Sequence, residues 1–313
     1  MSETAPRQSL ITLRDGDLAA TIDPQFGNNL FSLKLRDREF LWTPPNWRSQ
    51  PALGGIPLLA PWANRIDGDS YYINGRRYRL NPDLENFRRD ANGLPIHGLF
   101  AFTDRWNIGA QSESMLVTSL HVKHPDWLAQ FPFNQWITIT YRLHQGALLI
   151  SVKVYHHSAE PMPLSLGFHP YFQLPDSSRD DWRIRIPARK SAVLSDQMIP
   201  TGEFTLFDPE PWHPLRGTSF DSVYCDLTGD TFVAECRTGP TPSRLAVGFG
   251  PQFPVGIVYA PADKNCVCFE PMTALTNAFN LDHAGKNAFL TKVDSGSASD
   301  TWRENFWIRP ELL

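Results

Sequence analysis

The chain has 313 residues, enough to bury a large core, and one extended β domain over residues 1–313 accounts for that length as readily as two ordinary domains. A formal net charge of -4, with 20% of residues charged, provides no broad electropositive field, so neither nucleic acid nor an anionic membrane is an expected partner. No segment keeps a helical period, whereas many short stretches alternate apolar and polar residues between Gly, Pro, Asn or Asp, so the chain reads as mostly β.

Met1 to Pro6 carries neither a basic start nor an apolar run, which argues against a secretory signal or membrane anchor and for a cytoplasmic protein. Two stretches break the alternation and read as long ordered loops, Pro44 to Ile66 and Asn81 to Leu99; such excursions in a β protein tend to build binding surfaces. The first contains Gly54-Gly55, which lacks the Lys-Ser/Thr spacing of a phosphate loop, and ends on Asn64-Arg65-Ile66. An apolar run from Ile56 to Trp62 is placed to carry the Arg65 guanidinium into a cleft, where its planar donors suit sugar hydroxyls; a surface ion pair is the plain alternative. Between the loops, Tyr71 to Leu80 alternates around Asn74-Gly75, a preferred type I′ turn pair. The second loop ends on His97-Gly98 after Asn92-Gly93-Leu94-Pro95, where Gly and Pro set the backbone and permit close approach to a ligand; a turn histidine is the alternative.

A short helix fits Pro125 to Gln130. Ile137, Ile139, Tyr141 and Leu143 share one face of a strand, and Gln145-Gly146 turns into a partner with Leu148, Ile150, Val152 and Val154 inward. In Pro163 to Pro170, Leu164, Leu166 and Phe168 share one face and Ser165, Gly167 and His169 the other, so His169 points away from the apolar face beside two small residues, with Pro170 ending the ladder. Trp182, Ile184 and Ile186 alternate with Arg183 and Arg185. Asp221 follows a Pro-rich, Trp-containing loop and has the capacity to accept two hydroxyl hydrogen bonds. Cys266, Cys268 and Glu270 alternate with Val267 and Phe269, which puts Glu270 at a strand end before Pro271, where aromatic neighbours would desolvate it and raise its proton affinity. Four cysteines are too few for a disulfide framework, and Cys266-Val267-Cys268 has no nearby Cys-x-x-Cys or His pair to complete a zinc set, so neither a metal nor another cofactor is expected. No oligomeric state follows from the sequence.

Taken in order, Gly54-Gly55-Ile56-Pro57, Asn64-Arg65-Ile66, Ile96-His97-Gly98, Gly167-Phe168-His169-Pro170-Tyr171-Phe172, Phe220-Asp221 and Glu270-Pro271-Met272-Thr273 resemble the aldose 1-epimerase (mutarotase) superfamily over most of the chain. Galactose mutarotases proper tend to carry His-Gly-Gly and His-Ser-Tyr-Phe-Asn, where this chain has His97-Gly98-Leu99 and His169-Pro170-Tyr171-Phe172-Gln173, so the broader bacterial-type branch is nearer. The resemblance implies a large antiparallel β-sandwich with few short helices, and a monosaccharide held by Asn64, Arg65 and Asp221. It also implies that Glu270 takes the C1 hydroxyl proton while His169 protonates the ring oxygen, with His97 polarising the reacting oxygens and no cofactor or metal required. The expected activity is then exchange of the α and β anomers of a free aldohexose, with a bell in pH whose acidic limb belongs to the carboxylate and basic limb to the imidazole. Three rivals stand beside it: a hexose-6-phosphate epimerase using Arg88-Arg89 or Arg76-Arg77, a non-catalytic sugar-binding protein, and a glycosidase using Asp221 and Glu270.

Overall fold

Apolar residues at every second position commit a chain to sheets with one face buried, and two such sheets form the body of this protein. The computed structural model describes residues 10–47, 53–84, 87–294 and 301–313. The N-terminal residues that carry no leader pattern therefore lie outside the described residues, as do 48–52 of the first long loop and 85–86 of the second.

One sheet has nine antiparallel strands. From edge to edge these are His213–Pro214, Arg183–Arg185, Phe232–Cys236, Ser243–Phe249, Trp302–Leu312, Ala147–His156, Gln135–His144, Met115–Val122 and Asn107–Gln111. The other runs Pro200–Leu206, Ala188–Leu194, Phe220–Leu227, Val255–Ala260, Val267–Met272, Gly167–Phe168 and Leu58–Leu59, with Tyr171–Phe172 also paired to Val267–Met272. Their inner faces interlock. Phe168 meets Phe306 with ring centroids 4.9 Å apart, and Phe269 meets Phe232 at 5.5 Å. The protein is thus an all-β, large antiparallel β-sandwich with two short α-helices among the described residues, Pro125–Gln130 and Ala278–His283. None of its described helices is long and apolar enough to cross a membrane.

The hairpin expected on either side of Gln145-Gly146 forms, pairing Tyr141 with Ile150 and Ile137 with Val154, and Gln145 and Gly146 both have the positive φ of a type I′ turn (50° and 73°). Ser70–Ile73 and Arg76–Arg79 likewise pair around Asn74-Gly75. Trp182, Ile184 and Ile186 are buried, and the helix over Pro125–Gln130 is present, with Pro125 in its first turn where a missing N–H costs nothing. The segment from Pro163 to Pro170 differs from a single strand. Met162–Leu164 pairs with Thr291–Val293, and only Gly167–Phe168 joins the site-bearing sheet.

A smaller sheet, Ile11–Asp15, Leu18–Asp23, Asn29–Leu35 and Arg38–Glu39, contributes Leu13, Leu18, Ile22 and Leu33 to the shared core. Its link to the nine-stranded sheet is polar and buried. Asn28 donates through Nδ2 to Thr118 Oγ1 at 2.8 Å and to Tyr141 Oη at 3.2 Å, and the Tyr141 hydroxyl donates back to the Asn28 carbonyl at 2.6 Å. This network leaves Asn28 Oδ1 without a protein partner but pairs the amide nitrogen, the backbone carbonyl and both hydroxyls, and so helps to fix how the two sheets meet. Tyr141→Phe, which strands the Asn28 carbonyl, is expected to lower unfolding free energy in urea by about 1–3 kcal/mol. A loss below the error of the midpoint would remove this network from the account of how the sheets are joined.

Candidate active site

Cross-strand register assembles the floor of the site. In the eight-stranded sheet Asp221 lies opposite Tyr259, Tyr259 opposite Cys268, and Cys268 opposite Tyr171, so four side chains form a row across neighbouring strands. Two residues further along the central strand, Glu270 projects from the same face, while Val267 and Phe269 enter the main core. Glu270 is not at the strand end that the sequence implied, because Val267–Met272 continues through Pro271 to Met272. Pro271 is tolerated there since the neighbouring ladder is itself broken between Gly167–Phe168 and Tyr171–Phe172.

His169 occupies that break. Its amide donates to Pro57 O at 3.1 Å and the Tyr171 amide donates to Gly55 O at 2.8 Å, so the first long loop holds the histidine segment from one side. That loop is in turn pinned by Asn29, whose side chain donates to Gly54 O at 2.8 Å and accepts from the Ile56 amide at 2.7 Å. The two long loops also grip one another. Leu99 donates to Ala60 O, Ile66 to Pro95 O and His97 to Asn64 O, all between 2.7 and 2.9 Å. Asn64 and His97 both sit in the left-handed region (φ 58° and 65°), a strained conformation for residues other than glycine that their surroundings enforce. Gly98 follows at φ 64°, and a Cβ there would run into the Ala60 carbonyl, which explains the glycine after the histidine.

These elements bring all six residues singled out from the sequence, Asn64, Arg65, His97, His169, Asp221 and Glu270, to the wall of one pocket of about 160 Å³, together with Ile96, Tyr171 and Tyr259. At its floor His169 Nε2 is 3.4 Å from Glu270 Oε1, with both side chains buried (7% and 1% exposed). The Tyr171 ring lies parallel to His169 at 4.4 Å, its hydroxyl 3.3 Å from the same Nε2, and His97 meets His169 edge-on at 5.4 Å. Glu270 Oε2 and the Nδ1 atoms of both histidines have no protein partner.

Burial dominates the proton affinities. It pushes Glu270 well above the usual carboxylate range, assisted by the charge of Asp221 and opposed by Arg65. It lowers His169 to about 3, aided by the charges of Lys264 and Arg65, and drives His97 well below the usual imidazole range, with His169, Arg88 and Arg65 adding to the effect. Tyr171 is raised by burial and stays a hydroxyl donor. Both shifts favour the neutral forms, a carboxyl at Glu270 and an unprotonated imidazole at His169. This reverses the order expected from the sequence, where the carboxylate was the group that titrates in acid.

Arg65 stands at the pocket rim between two carboxylates. Its Nε donates to Asp90 Oδ2 at 2.6 Å, and its Nη2 is 3.8 Å from Asp221 Oδ2, with 15%, 7% and 37% exposure for the three side chains. Asp90 Oδ1 accepts from the amides of Asn92 and Leu94, both at 2.9 Å. Burial would raise Asp90, but the Arg65 contact and those two amides outweigh it and hold it below the usual range. Asp221 is instead raised by burial, against the pull of Arg65. Asp90 was missed from the sequence, although Asp90-Ala91-Asn92-Gly93 is an Asp-initiated turn that could have marked it. Asn277 was missed as well. Its amide donates to Arg65 O at 2.9 Å and its side chain accepts from the Asp67 amide at 3.0 Å, steadying the loop behind the arginine.

Comparison with known proteins identifies the family and the fold. The aldose 1-epimerase family profile matches residues 9–301, and the chain belongs to that family. The uncharacterised protein YphB of Escherichia coli K12 is 30% identical over 260 residues, 78% of this chain and 82% of that protein. Among solved structures, a galactose mutarotase-like protein from Clostridium acetobutylicum superposes with a TM-score of 0.82 at 20% identity, covering 97% of this chain and 95% of that one. A GalM/aldose epimerase homologue from C. elegans does so with a TM-score of 0.79 at 17% identity, over 97% and 99%. Likenesses at that level of identity establish the fold.

Asp90→Asn isolates the role of the carboxylate behind Arg65. A depressed folded pKa contributes stability that is present above the unfolded value of about 3.9 and lost as pH falls through the folded value. The variant is expected to be about 1–3 kcal/mol less stable than wild type at pH 7, with the gap closing toward pH 3. A gap independent of pH would show that Asp90 stabilises through packing alone.

Proposed function

We propose that the protein is an aldose 1-epimerase that exchanges the α and β anomers of a free aldohexose. The observation that carries this reading is the buried His169–Glu270 approach of 3.4 Å at the floor of a pocket rimmed by hydrogen-bonding side chains. Arg65, Asn64 and Asp221 offer donors and acceptors for ring hydroxyls, and His97, kept neutral by burial, offers one more.

In the reaction Glu270 accepts the proton of the C1 hydroxyl while His169 delivers one to the ring oxygen. The bond from C1 to that oxygen breaks, and C1 becomes the aldehyde carbon. Rotation about C1–C2 presents the other face, and closure runs the transfers backwards. The reactive arrangement, carboxylate with imidazolium, and the resting one, carboxyl with neutral imidazole, contain the same single proton. A shift across the 3.4 Å contact interconverts them, so the cycle neither gains nor loses a proton. Localisation in the cytoplasm and action of residues 1–313 as one domain belong to the same proposal.

Replacing Glu270 by Gln or His169 by Asn should each cut kcat by ~10²–10⁴, measured by polarimetry on freshly dissolved α-aldoses, with a much smaller change in sugar binding. Asp221→Ala should act mainly on KM. Near-native turnover in both Glu270→Gln and His169→Asn would defeat the mechanism. Binding of a sugar with no acceleration of any aldose would favour the non-catalytic protein, and release of an aryl aglycone the glycosidase.

The proton order sets the pH profile. With a chelator present, kcat/KM should hold a broad plateau, falling in acid only as His169 takes a second proton and in base only as Glu270 gives up the last one. A narrow bell between about 4.3 and 6.5, the ordinary carboxylate and imidazole values, would mean that both groups titrate as in water.

Of the arginines considered for a phosphate, Arg89 is paired with Asp69 at 2.9 Å and Arg76 with Glu160 at 3.2 Å, while Arg88 lies over the Phe102 ring at 4.6 Å. A neutral aldohexose should accordingly be turned over with a kcat/KM at least ~10-fold above that of its 6-phosphate. The opposite ranking, abolished by Arg88→Ala or Arg89→Ala, would establish the phosphosugar enzyme instead.

A further inference from the structure

Cys266-Val267-Cys268 by itself leaves a metal two donors short, and spacing along the chain offers no others. The fold supplies what spacing does not. Cys268 lies two residues before Glu270 on the same strand face, and the break in the neighbouring ladder brings His169 against both. One ring nitrogen of His169, the Cys268 sulfur and one Glu270 oxygen all lie within 4.8 Å of one another, and all three residues are buried. We propose that these three side chains form a binding site for a borderline-soft divalent cation, Zn²⁺ or Cd²⁺, whose occupancy shuts the sugar pocket.

The donor set selects the class of ion. Thiolate, imidazole and carboxylate together favour zinc-like cations over Mg²⁺ or Ca²⁺, which prefer oxygen alone. Bond lengths of about 2.0–2.3 Å around a tetrahedral ion put neighbouring donors about 3.3–3.6 Å apart. The His169–Glu270 pair is already at 3.4 Å, so it is chiefly the sulfur that has to draw in, by no more than about 1.5 Å. Glu270 Oε2 and His169 Nδ1 are buried with no protein partner, which leaves polar capacity at this spot that packing has not used. His169 and Glu270 line the pocket, from which an ion would enter, and Cys268 is fully buried and absent from its wall.

Charge closes as well. A thiolate and a carboxylate ligand together carry two negative charges, which a dication balances, so the occupied site with a neutral imidazole has no net charge. That removes the usual objection to placing a dication among groups shielded from water. Ligation also removes the single proton that the proposed cycle needs. This kinetic consequence rests on the acid/base reading above, whereas the site itself rests on the geometry of the three donors.

The test is a titration of the full chain, stripped with a chelator and then freed of it, with CdCl₂, following the ultraviolet thiolate-to-cadmium charge-transfer band. One Cd²⁺ per chain should bind with a band that is lost in Cys268→Ser and kept in Cys266→Ser. Glu270→Gln and His169→Asn should each weaken binding at least ~10-fold, and MgCl₂ should not compete. Circular dichroism of Cys268→Ser matching wild type shows that the lost band is not lost fold. In the turnover assay ZnSO₄ should raise the apparent KM for the sugar and leave kcat unchanged, with full reversal by chelator. No band in wild type, or a band of the same affinity in Cys268→Ser, overturns the site. Because the cadmium band is read without any sugar, a protein that epimerises nothing yet binds Cd²⁺ through Cys268 would defeat the proposed function and uphold the metal site.

Discussion

Burial of an imidazole against a carboxyl at the bottom of a narrow pocket is the constraint on which the rest of this structure depends. In water Glu270 and His169 would both be charged between about pH 4.3 and 6.5; withdrawn from it, 3.4 Å apart, each is driven toward its neutral form. The surrounding charges are arranged consistently with that state. Arg65 pulls against the raised Glu270, but its Nε is taken by Asp90 and its Nη2 lies 3.8 Å from Asp221, and burial outweighs it. The hydroxyl of Tyr171 lies 3.3 Å from His169 Nε2, a polar neighbour kept uncharged by burial.

Holding such a pair requires backbone that a regular sheet does not provide. The strand carrying Glu270 lies inside the sheet and pairs continuously with Val255–Ala260, so the carboxyl stands on a hydrogen-bonded strand rather than a loop. His169 arrives from the opposite direction, in a two-residue interruption of the adjacent ladder, and is fixed by amide contacts to the loop over 55–57. His97 and Asn64 are held by mutual backbone bonding of the two long loops, at a positive φ that neither residue would choose alone. A ladder break and two positive-φ side-chain residues thus lie at the pocket, while the hairpin around Gln145-Gly146 in the nine-stranded sheet is regular.

What the sequence disclosed divides along the same line. Alternating residues with an explicit turn pair, as in Ile137 to Val154 around Gln145-Gly146, specify both pairing and facing, because a slip of one position would expose the whole apolar set. The six pocket residues were legible because each stands beside a Gly, Pro or loop boundary that restricts its backbone. Asn277 was not, since it holds the Arg65 loop through contacts across the fold that no local pattern encodes; the turn around Asp90 was visible, but its pairing with Arg65 was not. The helix Ala278–His283 was missed because it has only six residues, too few for a period, although Asn277 before it and Gly285 after it are stop signals in hindsight. The order of proton affinities was inverted for a related reason. Residue identity gives the unperturbed order, and only the burial of both groups together reverses it.

The central claim is that the proton of the pair resides on Glu270. Infrared difference spectroscopy of the ligand-free, chelator-treated protein at pH 7, wild type minus Glu270→Gln, measures this directly. The account predicts a carbonyl stretch of a protonated carboxylic acid that is absent from the variant, with no imidazolium signal from His169. A difference spectrum showing an ionised carboxylate at Glu270 together with a protonated His169 would contradict it.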